Sequence, residues 1–321
     1  MSLTKKSLTK NANLQSAKKE KNDEFYTRFA DIESECAHYK PHFQGKTVLC
    51  NCDDPRVSNF FRYFFLNFHN LGLNRLIATC FKNLKPDSSS QNQDERAGYC
   101  IYEGTVNEWG TFKGDGDFRS EECIEFLKQA DIVCTNPPFS LFREYVAQLM
   151  EYEKQFLIIG NYNAISYKEI FPLIKDNRMW LGNGFHGGNA YFGIPDDYSN
   201  SQIFFIDGER LCKFRSCCWF TNLDSAKRHR HLPLSVRYTP EKFPKYDHYD
   251  AIEVAKMAEI PMDYEGIMGV PITFLNKYNP EQFEILGLDD HRLIYPQWRG
   301  RGPDLKGKPV YRRVIIRKKT T

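Results

Sequence analysis

Residues 131–142 read DIVCTNPPFSLF and join an apolar run to a helix-like run through two consecutive prolines. The first five residues are mostly apolar and β-branched, which is typical of a buried strand. Pro137 and Pro138 cannot donate backbone hydrogen bonds, so the strand must end before them. We therefore predict a core strand, a rigid tetrapeptide formed by Asn136, Pro137, Pro138 and Phe139, and then a helix.

Strand-like and helix-like segments alternate along the first half of the chain. The predicted strands are 47–51, 73–81, 131–135 and 155–161. This alternation predicts an α/β fold with a doubly wound, mostly parallel sheet. Two hairpins are also expected, one formed by residues 98–104 with 108–114 and one within residues 203–214, where Asp-Gly supplies the turn.

Helix starts can be predicted at two places. Asp54 followed by Pro55 gives a capping carboxylate and a proline at the first helical position, ahead of the aromatic run RVSNFFRYFFLNF. Ser120 has the character of a cap for the next helix.

The chain divides into three regions by sequence texture. Residues 1–22 are polar and lysine-rich and predict a flexible basic arm. Residues 23–195 carry the alternating pattern. Strand-like pieces and turns dominate after it, so residues 196–321 predict an α+β region.

Charge is unevenly distributed along the 321 residues, whose net charge is +3. Residues 1–22 hold six lysines and one glutamate, and residues 292–321 hold ten basic residues and one aspartate. Basic ends on an acidic middle favour a polyanionic partner such as nucleic acid. The alternative is that the basic tails only aid solubility.

Several classes of protein are not expected. No run approaches the length of a membrane span, and the N-terminus lacks the apolar core of a secretory signal. The ten cysteines are scattered, which favours reduced thiols in a cytoplasmic protein. No Cys-x-x-Cys pair is present, so no metal site is expected.

The tetrapeptide has a specific chemistry at the carboxyl end of a strand, where open parallel sheets bind their ligands. Asn136 offers a side-chain carbonyl, Pro137 a constrained backbone carbonyl and Phe139 an aromatic face. Two fixed acceptors beside a ring suit a planar substrate with an exocyclic amino group, such as adenine. Hydrogen bonds to both amino protons would direct the nitrogen lone pair. The alternative is a proline-terminated strand without chemistry.

Most of the chain, from about residue 20 to about residue 286, resembles the EcoRI-type adenine-specific DNA methyltransferases. The segments that carry the resemblance are NDEFYTRFADIE (22–33), CNCDDPRVSNFF (50–61), GDGDFRS (114–120), TNPPFSLFREY (135–145), PKYDHYDAIEV (244–254) and GVPITFLNKYNPEQFEIL (269–286). The resemblance implies a methyltransferase-type sheet, S-adenosylmethionine as methyl donor, and N6-methylation of adenine in double-stranded DNA. The last thirty residues match less well.

Cofactor-binding residues follow from the same resemblance. Three segments correspond to family motifs, and their candidate residues are Phe25, Tyr26 and Thr27, then Asn51, Asp53 and Asp54, then Asp117 and Phe118. Asp117 would accept from the cofactor's amino group, and Phe118 would pack on its ring. The alternatives are that the segment with Phe25, Tyr26 and Thr27 only forms the entry to the domain, and that Asp117, Asp53 and Asp54 only cap helices. The loop after residue 51 contains no glycine, in contrast to methyltransferases more broadly.

The resemblance also implies how DNA is bound. The target adenine must leave the duplex and stack on Phe139. Tyr191 or Phe192 is the candidate for a second stacking ring, although either could belong to the core. Region 196–321 is expected to recognise the target sequence in the major groove. Its candidate DNA contacts are Lys227, Arg228 and Arg230, with a solvated charged face as the alternative.

The expected setting is the cytoplasm of a prokaryote, with the enzyme acting as a monomer beside a restriction endonuclease that it does not stably contact. Two other functions stay open. The same tetrapeptide could methylate RNA or a protein glutamine, and the glycine-free loop could belong to a catalytically silent DNA-binding protein.

Overall fold

The structure is a computed structural model, and it describes residues 26–52, 54–82, 97–185, 189–194, 203–206, 208–214, 216–247, 249–288 and 304–319. The chain divides into two compact units, of which the first is Met1–Asn161 with Phe185–Cys218 and the second is Tyr162–Gly184 with Trp219–Thr321. The three regions predicted from the sequence stay a prediction, and the predicted arm 1–22 lies outside the described residues.

The described helices are short. The α-helices are α1 (Phe29–Cys36), α2 (Lys40–Phe43), α3 (Asn59–Leu66), α4 (Phe68–Leu71), α5 (Glu121–Gln129), α6 (Phe142–Glu151) and α7 (Phe171–Lys175). Turns of 3-10 helix cover Ala37–Tyr39, Phe139–Leu141, Tyr162–Ser166, Met257–Glu259 and Ile272–Lys277. None of the described helices has the length and apolar character that crossing a membrane requires.

The strands of the first part of the chain are β1 (Tyr26–Thr27), β2 (Thr47–Asn51), β3 (Arg75–Cys80), β4 (Gly98–Tyr102), β5 (Asn107–Thr111), β6 (Ile132–Thr135), β7 (Gln155–Asn161), β8 (Trp180–Leu181), β9 (Ala190–Gly193), β10 (Ile203–Ile206), β11 (Glu209–Phe214) and β12 (Cys217–Thr221). The remaining strands are β13 (Lys245–Tyr246), β14 (Tyr249–Glu253), β15 (Ile267–Pro271), β16 (Phe283–Leu288), β17 (Asp304–Leu305), β18 (Lys308–Pro309) and β19 (Arg313–Lys318).

A mixed sheet forms the core of the first unit. Six of its strands run in the order β5-β4-β3-β2-β6-β7. The pairs β3–β2, β2–β6 and β6–β7 are parallel, whereas β4 pairs antiparallel with β3 and with β5. Every residue of β2 and β6 is buried, which fits strands covered on both faces. The four predicted core strands and the hairpin of β4 and β5 are confirmed, within a mixed α/β fold.

A second, antiparallel sheet of the first unit has the order β1-β9-β11-β10. Strands β10 and β11 form the predicted hairpin, with Ile206 opposite Glu209. Gly208 has a φ of +81° at the turn, a conformation that glycine adopts without strain. Asp207, the other turn residue, lies outside the described residues.

The second unit contains a five-stranded sheet in the order β13-β14-β15-β19-β16. A buried ion pair joins β14 to β19, since Arg313 Nη2 lies 2.6 Å from Glu253 Oε1. The hydroxyl of Tyr246 also donates to the Glu253 carboxylate. The charge of Glu253 is therefore matched by two donors inside the unit, as burial of a carboxylate requires.

The helix start predicted at Asp54 is wrong. Residues 55–57 form a turn, and α3 begins at Asn59 with Ser58 as its cap. The Asp54 carboxylate accepts from Arg56 N at 2.9 Å, while Ser58 Oγ accepts from Phe60 N at 3.2 Å. The Asp54 side chain therefore bonds within its own turn, and Ser58 is the N-cap of α3. The cap predicted at Ser120 is confirmed, because Ser120 Oγ accepts from Cys123 N at 3.3 Å.

Candidate active site

The tetrapeptide lies at the carboxyl end of β6, between the ends of the parallel neighbours β2 and β7. Pro137 is buried, whereas Asn136 and Phe139 are half-buried. Leu141 N donates to Pro138 O at 3.0 Å and closes a turn of 3-10 helix that leads into α6. The two prolines thus hold Asn136 and Phe139 at the rim of the sheet.

Asn51, the last residue of β2, is bonded from two directions. The hydroxyl of Thr135 donates to the backbone carbonyl of Asn51, and the hydroxyl of Tyr145 donates to its side-chain oxygen. Asn51 is 3% exposed, and Thr135 and Tyr145 are fully buried. The predicted cofactor segment that begins at Asn51 is therefore tied to both sides of the tetrapeptide.

The loop after β2 turns without a glycine. Cys52 takes a φ of 69°, the left-handed conformation that glycine usually supplies. Asp53 lies outside the described residues. Asp54 accepts from Arg56 N and from Arg56 Nε, at 2.9 and 3.0 Å, through the same oxygen. Its other oxygen, Oδ2, is buried and has no hydrogen-bond partner among the described residues.

The loop that carries Asp117 and Phe118 is anchored at the carboxyl end of β3. Gly116 has a φ of +74°, and a Cβ there would lie 2.3 Å from Cys80 O. Lys82 N also donates to Asp115 O at 2.9 Å. Only glycine allows the loop to approach the strand so closely, and this approach brings Asp117 to the same edge of the sheet as Asn136.

Asp117 is paired with Arg119. The carboxylate accepts from Arg119 N, Nε and Nη2 at 2.8, 2.9 and 2.6 Å. These hydrogen bonds, followed by a smaller Coulombic attraction, hold the pKa of Asp117 below its usual value despite partial burial. Since Ser120 caps α5, Asp117 does not act as that helix's cap. An ionised carboxylate has further lone pairs, so Asp117 can still accept a ligand's amino group.

Helix α6 holds Phe118 in place. The Tyr145 ring meets the Phe118 ring edge-on at 5.0 Å between centroids, and Gln148 Nε2 donates to Phe118 O at 3.1 Å. Arg119 Nη1 also donates to Glu144 at 2.7 Å. Three contacts, from Glu144, Tyr145 and Gln148, therefore join the helix after the tetrapeptide to the loop of Asp117.

Strand β1 places Tyr26 and Thr27 beside β9, with Tyr26 opposite Gly193 and Thr27 opposite Phe192. Thr27 is 4% exposed, and its carbonyl accepts from Asn59 Nδ2 at 2.8 Å. Its hydroxyl is buried without a hydrogen-bond partner among the described residues. Phe25 lies outside the described residues.

The two candidates for a second stacking ring have different surroundings. Phe192 is fully buried and packs edge-on against Phe214, with centroids 5.4 Å apart. Tyr191 is half-buried, and Lys213 Nζ lies 5.6 Å from its ring centroid. Tyr191 therefore retains surface for a base, whereas Phe192 contributes to the core.

The three basic candidates lie in the second unit. Lys227 Nζ donates to Gly182 O at 2.6 Å. Arg228 donates to Asn177 Oδ1 at 2.9 Å, and its guanidinium stacks over Trp180 at 3.7 Å. Burial lowers the pKa of Arg228. Arg230 is exposed, so it is the best placed of the three for a phosphate or a base.

The chain matches known proteins over nearly its whole length. The family model described as Adenine-specific methyltransferase EcoRI matches residues 13–319. The Type II methyltransferase M.EcoRI of Escherichia coli is 47% identical over 95% of this chain and 96% of its own length. The Type II methyltransferases M.MgeORF184P of Mycoplasma genitalium and M.MpnI of Mycoplasma pneumoniae are each 40% identical over 94% of this chain and 97% of their own.

The chain belongs to the EcoRI family of adenine-specific methyltransferases. The resemblance inferred from the sequence is thereby confirmed. No solved structure gives a significant match to the chain.

The residues at the candidate site fit S-adenosylmethionine, the standard methyl donor of such methyltransferases. S-adenosylmethionine carries a carboxylate, an ammonium group, ribose hydroxyls and an adenine. The buried Thr27 hydroxyl and Asp54 Oδ2 are polar atoms without a partner among the described residues, and both lie in predicted cofactor segments. Buried polar groups need such partners, and the donor supplies groups of the matching kinds.

Sequence reasoning missed Thr135, Tyr145 and Arg119. Thr135 precedes the tetrapeptide directly and could have been suspected for that reason. Tyr145 bonds to Asn51 across 94 positions of sequence, and no spacing in the chain predicts that contact. The described residues hold no group of three or more His, Cys, Asp or Glu side chains that could ligate a metal.

Proposed function

We propose that this chain transfers a methyl group from S-adenosylmethionine to the N6 amino group of adenine in double-stranded DNA, as the modification enzyme of a restriction-modification system. Membership of the EcoRI family supports the activity. The observation that carries the chemistry is the tetrapeptide at the carboxyl end of β6, bonded through Thr135 to the end of β2.

The target adenine leaves the base stack and enters the site as a flipped nucleotide. Asn136 Oδ1 and Pro137 O accept hydrogen bonds from the two N6 protons, and Phe139 stacks on the ring. The neighbouring contacts, from Thr135 to the Asn51 carbonyl and from Leu141 N to Pro138 O, restrain the backbone that carries both acceptors. This restraint favours little reorganisation during transfer. Tyr191 supplies the second stacking surface, and Phe192 supports it from the core.

S-adenosylmethionine supplies an electrophilic sulfonium methyl group. When the cofactor is bound, Asp117 would accept from the amino group of its adenine and Phe118 would pack on the same ring. The segment of Asn51, Asp53 and Asp54 would hold the methionine end, and Phe25, Tyr26 and Thr27 would cover it. The N6 lone pair would form a bond to the methyl carbon as the sulfur–carbon bond breaks, which would leave the cofactor as a neutral thioether. The methylated nitrogen would then be positively charged and acidic, so one of its protons would pass to water without a strong base.

We take residues 23–195 to be a catalytic core built on a doubly wound methyltransferase sheet, and we propose that segments outside this core hold the duplex around the flipped adenine. Region 196–321 acts as the target-recognition region, with Arg230 as its leading candidate contact and Lys227 and Arg228 supporting the loop that carries it. The basic arm 1–22 and the basic C-terminal tail contact phosphates. The enzyme acts as a monomer on DNA in a prokaryotic cytoplasm, without a stable complex with its endonuclease.

The test is methyl transfer by the purified full chain from labelled S-adenosylmethionine to unmethylated duplex DNA, with the product nucleosides separated. N6-methyladenine in the DNA is the expected product. Label in RNA or in protein glutamine, and not in DNA, would show that the proposed substrate is wrong and that the proposed chemistry of the tetrapeptide is right. DNA binding without label anywhere would identify a catalytically silent DNA-binding protein.

A further inference from the structure

We propose that Tyr145 is a positioning residue for methyl transfer, and that it acts through Asn51 together with Thr135. The proposal rests on the proposed function. It assigns Tyr145 a task that extends beyond filling the core, namely setting the distance between the bound cofactor and the target base.

The tetrapeptide is bracketed by two bonds to a single residue. Thr135, immediately before Asn136, donates to the Asn51 carbonyl. Tyr145, six positions after Phe139, donates to the Asn51 side chain. The segment that carries the two proposed adenine acceptors is thus attached at both sides to the start of the proposed cofactor loop.

Tyr145 also reaches the second cofactor segment. Its ring packs edge-on against Phe118 at 5.0 Å, and Gln148 of the same helix bonds to the Phe118 carbonyl. Tyr145 is fully buried and Phe118 is 6% exposed. One side chain of the helix that follows the tetrapeptide therefore touches both proposed halves of the cofactor site.

This arrangement matters because methyl transfer is sensitive to distance. The reacting atoms must approach in line, and a displacement of about 1 Å can slow such a reaction about a hundredfold. Loss of the Tyr145 hydroxyl releases the Asn51 side chain while the ring still fills the core. We therefore expect slower transfer without a matching loss of folding stability.

The first unit offers a matched control. Tyr39 is also fully buried, and its hydroxyl donates to Glu35 Oε1 at 3.0 Å. Glu35 and Tyr39 belong to none of the proposed binding segments. Tyr39→Phe thus removes an equivalent buried hydroxyl away from the proposed site.

The experiment compares Tyr145→Phe, Thr135→Val, the double variant and Tyr39→Phe in the full chain, by single-turnover methyl transfer to duplex DNA and by urea unfolding. We expect Tyr145→Phe and Thr135→Val each to slow transfer about tenfold or more. The double variant should be much less impaired than the product of the two effects, because both act through Asn51. Tyr39→Phe should transfer at the wild-type rate.

Independent, multiplying effects of the two substitutions, or equal rates for Tyr145→Phe and Tyr39→Phe, would overturn the proposal. If Tyr145→Phe does not fold, Thr135→Ser and Thr135→Val decide the matter, since recovery with serine alone supports the hydroxyl contact and equal rates contradict it. A wild-type chain that methylates no DNA would refute the proposed function instead.

Discussion

Arg119 donates three hydrogen bonds to the carboxylate of Asp117, two residues before it in the chain. The same guanidinium donates to Glu144 on α6 at 2.7 Å. Arg119 thereby joins the loop at the end of β3 to the helix that follows the tetrapeptide. The pairing keeps Asp117 ionised, which is the state in which it can accept a cofactor amino group.

The pairing predicts a pH dependence of stability. Arg119 lowers the pKa of Asp117 in the folded protein, so the stabilisation is present above the unfolded pKa of about 3.9 and is lost as pH falls through the folded value. Because Arg119 is half-exposed, we expect Asp117→Asn to cost only about 0.5 kcal/mol at pH 7, and less at pH 3. Urea unfolding at the two pH values measures this. Glu125→Gln, which removes a carboxylate paired with Lys128 on the exposed face of α5, is the control. A cost for Asp117→Asn that grows at pH 3 would contradict the assignment.

Asn136→Ala should slow methyl transfer severely while leaving binding of cofactor and DNA intact. The alanine removes one of the two acceptors for the N6 protons, and removal of one preorganised hydrogen-bonding group typically costs about 100-fold or more in rate. Single-turnover transfer and equilibrium binding of each ligand separate the two effects. Asn74→Ala, at an exposed position outside the site, serves as the control. Full activity of Asn136→Ala would rule out the mechanism.

Gly116→Ala should weaken cofactor binding and destabilise the fold. The added Cβ would lie 2.3 Å from Cys80 O, so the loop must move away from β3. Gly45→Ala is the matched control, because Gly45 has a similar φ of +71° but open space around its Cβ. Both variants should lose about 1 kcal/mol from backbone strain, and only Gly116→Ala should lose more. Equal unfolding free energies for the two would show that the close approach is unimportant.

Cys52→Gly should leave stability unchanged or raise it by up to about 1 kcal/mol, because glycine adopts a positive φ without strain. Cys52→Val should destabilise by about 1–2 kcal/mol, since a β-branched residue fits that conformation poorly. Cys217→Val, in strand β12, should be nearly neutral. Urea unfolding ranks the three, and a neutral Cys52→Val would mean that the loop relaxes freely.

Removal of residues 1–22 should weaken DNA binding in a salt-dependent way. The segment carries six lysines and one glutamate, so fewer phosphates would be neutralised and the slope of log K against log salt should become shallower. Binding titrations at several salt concentrations measure the slope. An unchanged affinity at low salt would reject a role for the arm. Its own structure lies outside the described residues.

Much of the core could be predicted because its strands are continuous apolar runs. Strands β2 and β6 are buried along their whole length, so their composition alone predicts them as strands, without an alternating pattern of apolar and polar residues. The prediction of a helix start at Asp54 was wrong because two capping signals, Asp54 and Ser58, lie close together there. The carboxylate of Asp54 is used by Arg56 within its own turn, and Ser58 caps the helix instead.

The candidate site was predictable as a set of motifs but not as a network. The tetrapeptide and the Asp117 loop could be identified from local sequence and resemblance. The bonds from Thr135 and Tyr145 to Asn51 span 84 and 94 positions. The first depends on how β6 lines up with β2, and the second depends on how helix α6 packs beside β2. Such alignments are decided by tertiary packing, which local sequence patterns do not reveal.

Because a cysteine, Cys52, forms the left-handed turn where a glycine would be usual, the candidate cofactor loop carries a half-buried thiol. Eight of the ten cysteines are buried, and only Cys52 and Cys217 are half-buried. Burial raises the pKa of Cys217 to about 12, so its reactive thiolate is scarce at neutral pH. A maleimide dye should therefore attach first at Cys52, where its emission would report on ligands arriving beside the loop.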